Sequence, residues 1–269
     1  MYATIPLATV LGEVRKIGAT SIDIWSRVHS DHRDQVRSMG LEAFGALLRE
    51  HEVELGVFTC YPLGPFRLQG EMAAVRQLGG EAVLCGTTGP REPAGQAAKV
   101  AVRAFLERMQ PHIAKAEELG VTILLENHAN QLLHTPDSLR YFADMNRSPH
   151  LKLAYAIHHM QAADPTQIAP LIAELGNDAI GFIYFQEHGK GAHKKMPKHE
   201  EMQQMPGFGG GLDYRPIVAA CRQVEFSGPV EIFMHPVPRG IPILPTASEI
   251  TAAINKSRRY VEACLEESA

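Results

Sequence analysis

Four apolar runs in the second half of the chain each end in acid, amide or imidazole side chains: VTILLENH (121–128), LKLAYAIHH (151–159), GFIYFQEH (181–188) and GPVEIFMHP (228–236). Each run has the length and apolar continuity of a strand buried on both faces, and helix-like sequence separates it from the next. A parallel barrel gathers the C-terminal ends of its strands at one mouth, where such folds build their sites. Four polar tails of this kind predict a pocket at that mouth.

The same alternation runs through the rest of the chain. Residues 7–18 carry helical periodicity and stop at Gly18, and TSIDIW (20–25) follows as a strand. Helices are expected at about 39–51, 69–78 and 95–119, with strands at VELGVFTC (53–60) and EAVLCG (81–86) between them. A Thr-Pro start opens a helix at 135–146, and an Asp-Pro start opens another at 164–176. Further helices are expected at about 213–224 and 246–267.

Seven strands alternating with helices predict an α/β fold of parallel βαβ units, specifically a (β/α)8 TIM barrel. Only Met1–Ile5 remain to supply the first strand, so that strand is expected to be short or truncated. At 269 residues the whole chain, 1–269, fits a single barrel domain. A doubly wound sheet is the rival, but no GxGxxG follows the first strand. GFGGGLD (207–213) follows a polar loop and reads as a turn before a helix.

Composition narrows the function. Twenty-six basic against thirty acidic residues give a net charge of −4, with none of the basic surplus that a nucleic-acid partner calls for. No apolar stretch reaches the roughly 18 residues that span a bilayer, so no membrane partner is expected. The N-terminus lacks the basic segment and apolar core of a secretion signal, which predicts a cytoplasmic protein. Cys60, Cys85, Cys221 and Cys264 are widely spaced without a CxxC pair and read as reduced, mostly buried thiols. The longest loop, about 187–212, carries Lys190, His193, Lys194, Lys195, Lys198 and His199. It reads either as a solvated cationic loop or as a lid that meets an anionic substrate.

Several stretches carry a resemblance: IGATSIDIW (17–25), LLENH (124–128), the HHM…DP turn (158–165) and GGGLDYRPIVAACRQVEFSGPVEI (209–232). With these the chain resembles the xylose isomerase-like TIM-barrel superfamily over nearly its whole length. That group includes sugar-phosphate isomerases and epimerases, ketose 3-epimerases and metal-dependent AP endonucleases. The resemblance implies a metal at the mouth, held by Glu, Asp, His and Glu from the last four strands. The first Glu matches Glu126. The other three places fall on Ala156, Tyr184 and Phe233, which bind metal poorly or not at all. Side chains two residues apart share a strand face, and a step of two leads to His158, Gln186 and His235. The implied metal set is therefore Glu126, His158, Gln186 and His235, suited to Zn, Mn, Co or Ni. A register shift that brings in Glu231 instead would move the site deeper.

The function this implies is a sugar isomerase or epimerase that moves a proton next to a carbonyl of a small polyhydroxylated carbohydrate, with divalent-metal assistance. Glu126 is the expected base and His235 its catalytic partner. His128, Glu187, His188, Arg239 and Trp25 are expected to bind substrate. Trp25, Tyr61 and Phe66 would form a wall for a sugar ring, or simply pack. His158 and His159 are neighbours, so one should face the mouth and the other the helix layer. A homo-oligomer is plausible by the same likeness. The alternative is a non-catalytic sugar-binding or regulatory barrel that has lost the metal. A DNA-repair role is disfavoured by the acidic balance and the missing ligand set.

Overall fold

The structure, a computed structural model, describes residues 1–268. Its strands are β1 (Ser21–Trp25), β2 (Glu54–Thr59), β3 (Ala82–Cys85), β4 (Thr122–Glu126), β5 (Leu151–Ala156), β6 (Ile180–Phe185) and β7 (Val230–Ile232). All neighbours pair in parallel, in the order β1 to β7. The helices are α1 (Leu7–Val14), α2 (His32–Met39), α3 (Leu41–Glu50), α4 (Gln69–Gln77), α5 (Gly95–Leu119), α6 (Pro136–Met145), α7 (Ile157–Ala163), α8 (Ile168–Ala179), α9 (Lys198–Glu201), α10 (Arg215–Gln223) and α11 (Ala247–Glu267).

Local chemistry sets the boundaries. Thr135 caps α6 by accepting a hydrogen bond from the Ser138 N–H, with Pro136 at the first helical position. Thr246 and Glu249 form a reciprocal capping box at α11. Gly120 ends α5 in the left-handed region at φ 63°. The strand alternation is regular. Trp25, Val57, Leu84, Leu124, Ala154, Ala156, Phe182, Tyr184 and Phe233 form one inner cluster, while Phe58, Val83, Ile123, Leu153, Tyr155 and Ile183 face the helices. Even-numbered positions of β3 to β6 and odd-numbered positions of β1, β2 and β7 therefore point inward.

The sheet curls as a TIM barrel does but is not closed. Met1–Ile5 make a turn, with Ile5 N–H donating to Tyr2 O at 3.0 Å, and supply no strand. Among the described residues there is no eighth strand, and β1 and β7 are the two edges of a seven-stranded sheet. The expected first strand is thus corrected. A cavity of about 1020 Å³ lies along this seam, lined by Asp23, Trp25, His29, Glu231, Phe233 and His235 among others. Of the helices, α2, α7 and α9 were not expected, and α2 is the longest of the three. The α2 sequence, HRDQVRSM, buries only His32, Arg33 and Val36, too little to show as an apolar stripe. No helix among the described residues is long and apolar enough to cross a membrane. All four cysteines are free thiols.

Candidate active site

Glu126 ends β4 on an inward position and is only 4% exposed. Its Oε2 has no hydrogen-bond partner, and burial pushes its carboxyl well above the usual carboxylate range. The next residue fixes the neighbouring strand. Asn127 Oδ1 accepts from Ala156 N–H at 2.6 Å, and its Nδ2 donates to Ala156 O at 3.2 Å. Both polar groups of Ala156 are thereby satisfied by a side chain, and the backbone turns helical at Ile157.

That turn changes the outcome for the adjacent histidines. His158 and His159 lie in the first turn of α7, not on an extended strand, so alternation no longer separates them. Both reach the Glu126 side of the mouth. The ligand atoms of Glu126, His158 and His159 all lie within 4.8 Å of one another, and His159 Nε2 is 3.9 Å from Glu126 Oε1. The expectation that one of the pair faces the helix layer is corrected. Neither ring nitrogen of His158 has a partner. Burial, reinforced by the neighbouring imidazoles, holds both rings well below the ordinary histidine range and so neutral.

Gln186 and His235 do continue their strands on inward positions. They are tied together by Gln204, which the sequence did not single out. Gln204 Oε1 accepts from Gln186 Nε2 at 3.0 Å and from His235 N–H at 3.1 Å, while its Nε2 donates to His235 O at 2.9 Å. Gln186 Oε1 and His235 Nδ1 remain buried and without partners. The His235 ring lies 6.2 Å from that of His158 and 5.0 Å from that of His29. His235 therefore flanks the three-residue cluster, and Gln186 is tied to His235 through Gln204. His128 is half-buried beside His159, with ring centroids 4.0 Å apart. His134, also unforeseen, is held between Glu92, at 3.1 Å, and His159 O, at 3.3 Å.

Other expected positions differ. Glu187 points outward. Its carboxylate accepts from Leu212 N–H at 2.9 Å, and burial pushes it up to about 7. It pins the glycine-rich turn, so the substrate-binding role expected of it is not supported by its place. His188 is exposed at the rim, its ring 5.9 Å from that of His193. Trp25 lies inside the barrel, stacked on Phe233 at 4.7 Å and 5.6 Å from Tyr61. Phe66 instead packs against Phe105 and His112 among the outer helices, so it is no part of a wall at the mouth. The 187–212 loop is folded, with α9 and two short 3-10 turns.

Below the mouth sits a pair of half-buried acids. Asp23 on β1 accepts from the Thr59 hydroxyl at 2.9 and 2.7 Å and lies beside Glu231 on β7, whose Oε2 has no hydrogen-bond partner. Burial pushes Asp23 up to about 7 and Glu231 well above its usual range, so the pair holds a proton near neutrality. Glu231 therefore belongs to the seam, not to the cluster around Glu126.

The sequence matches the family described as xylose isomerase-like TIM barrel over residues 11–257. The chain belongs to this family. Solved structures similar to this family member include the IOLI protein with a binding zinc atom, at 16% identity and a TM-score of 0.70, covering 100% of this chain and 99% of that one. D-allulose 3-epimerase from Methylomonas sp. is similar at 16% identity and a TM-score of 0.67, covering 95% and 90%. The E. coli 3-keto-D-glucoside 4-epimerase YcjR is similar at 12% identity and a TM-score of 0.67, covering 98% of each. A comparison with curated proteins finds no match. In this xylose isomerase-like barrel the donor set suits a divalent cation. Two neutral imidazoles and one carboxyl converge, and the partnerless atoms of Glu126 and His158 lack the contact that burial demands.

Proposed function

We propose that the protein is a sugar isomerase or epimerase that moves a proton at the carbon next to a carbonyl of a small polyhydroxylated substrate. The observation that supports this reading most is the buried Glu126–His158–His159 cluster at the barrel mouth, with donor atoms that no other group satisfies. Glu126, His158 and His159 would hold a divalent cation, keeping Glu126 and His158 of the strand-based set first expected and bringing in His159 in place of Gln186 and His235. Such a cation, when bound, polarises carbonyl and hydroxyl oxygens and so acidifies the adjacent C–H bond. Glu126, whose charged form burial alone disfavours, would ionise beside such a cation.

Each remaining group then has a part. Glu126 takes the proton from the substrate carbon. His235, neutral and with a free Nδ1, approaches from the β7 side and gives or receives a proton there. Two groups from different strands can serve the two faces of one carbon, as inversion of a stereocentre requires. Gln186 offers its free Oε1 to a sugar hydroxyl, and His128 lies beside the cluster within reach of the same ligand. Trp25 and Phe233 close the floor against water.

The test is solvent-deuterium wash-in. Ketoses and aldoses are incubated with metal-loaded protein in heavy water, and exchange at the carbon next to the carbonyl is followed by NMR. Exchange is expected for at least one sugar, falling by about 10²–10⁴-fold in Glu126→Gln. Bound polyols with no exchange under any metal would contradict the enzyme and favour a sugar-binding barrel.

A further inference from the structure

The open seam of the barrel holds a cavity that the chemistry at the mouth does not use. Its volume is about 1020 Å³, and Glu126, His158 and His159 do not line it. Odd-numbered positions of β1 and β7 point inward, so Asp23 and Glu231 meet on its inner side while Ile22 faces the helices. No strand lies between the two edges, and the cavity passes through the barrel wall to Val10 and Val14 of α1 and Val218 of α10. Val230 and Leu265 line it as well and are 44% and 42% exposed, so it opens to solvent on that side. The result is a slot with an acidic inner end and an apolar outer end.

The inner end lacks a counter-charge. Elsewhere the chain pairs its interior acids: Glu71 meets Arg33 at 2.6 Å, Glu13 meets Lys16 at 2.7 Å, and Glu201 meets Lys198. Among the described residues Asp23 and Glu231 form no such pair. Asp23 rests on the Thr59 hydroxyl, and Glu231 Oε2 has no partner at all. Trp25 lines the same cavity, is only 7% exposed, and leaves its indole N–H without a partner too. Met1 also lines it, yet its amine forms no ion pair with either acid, and burial disfavours the charged form of that amine. Carboxylates drawn out of water without a cation are costly, and burial accordingly raises both acids. A cation from outside would remove that cost.

We propose that the seam binds an organic cation, a primary ammonium seated between Asp23 and Glu231 on an apolar body that crosses the wall toward α1 and α10. Each carboxylate then accepts an N–H bond of the strong, charge-assisted kind. The apolar body covers Val10, Val14 and Val218, which supplies the affinity that a bare ammonium lacks. The site is separate from the metal cluster and requires no turnover, so it is tested independently of the isomerase reading.

Trp25 is the single tryptophan of the chain and lines the cavity, so its emission reports occupancy. The full chain is titrated at neutral pH and low salt with hexylamine, hexanol, hexanoate and methylamine, and binding is read both by calorimetry and from Trp25 emission. Hexylamine is expected to bind about tenfold or more tightly than hexanol, because a hydrogen bond to a charged group outweighs one between neutral groups. Hexanoate should bind more weakly than hexanol, and methylamine more weakly than hexylamine. Glu231→Gln and Asp23→Asn should each bring the ratio of amine to alcohol close to one. Thermal unfolding checks the fold of each variant, and either variant decides if the other unfolds. Equal affinity for hexylamine and hexanol, an undiminished ratio in both variants, or no saturable binding of hexylamine would overturn the proposal.

Discussion

Glu126 sits under two opposing demands. Burial favours its neutral form, while the imidazoles of His158 and His159 leave room for a cation that would favour the charged one. Glu126→Gln keeps the shape and removes the ionisable group. It should therefore leave the melting temperature of the metal-free protein unchanged or slightly raised, and should abolish metal retention. Thermal unfolding with and without added metal checks both. His159→Ala separates the present cluster from the strand-based set read from sequence. If His159 is a ligand, its loss should weaken metal binding by at least about tenfold, an effect typical even of removing groups that only orient ligands. Glu126 itself was legible in the sequence, because a carboxylate closing an apolar run needs a partner. His159 was not, because alternation was carried two residues beyond the point where the backbone stops being a strand.

At the scale of elements, the decisive contacts are two side-chain amides that stitch strand tails together. Asn127 fixes the end of β5 and so the start of α7, and Gln204 joins the tails of β6 and β7. Asn127→Ala leaves Ala156 N–H without a partner in a dry setting, while its C=O keeps the first bond of α7, and should cost about 1–3 kcal/mol of stability. It should also weaken metal binding, although Asn127 touches no ligand atom, and titration of metal against the folded variant reads this apart from stability. The strands and most helices could be read from apolar periodicity, and the inward parity of β4 to β7 followed from it. Such amide bridges could not, since Asn127 and Gln204 lie 29 and 31 residues from the backbone groups they hold. The α2 helix escaped because a mostly polar sequence buries few apolar positions.

For the molecule as a whole, the seven-stranded sheet leaves a seam between its edge strands β1 and β7, where Asp23 and Glu231 lie side by side and Asp23 raises Glu231's need for a proton. The sign of the pH effect follows. Asp23 titrates near 7 in the folded state and near 4 when unfolded, so between those values the folded chain binds more protons. Its contribution to stability is fully present below about pH 4 and is lost as pH rises through 7. The neutral histidines act in the opposite sense, since His158, His159 and His235 cost stability as pH falls below their unfolded value of about 6.5. Asp23→Asn should therefore gain melting temperature relative to wild type as pH rises from 5 to 8, and a constant difference across that range would refute a raised Asp23 carboxyl.

The central claim is that Glu126, His158 and His159 hold one divalent cation at the mouth. Elemental analysis of the protein after incubation with Zn, Mn, Co and Ni in turn, followed by desalting, tests it most directly. About one metal per chain is predicted for wild type, with loss in Glu126→Gln and in His159→Ala. A wild-type protein that retains none of the four metals, or variants that retain as much as wild type, would contradict it.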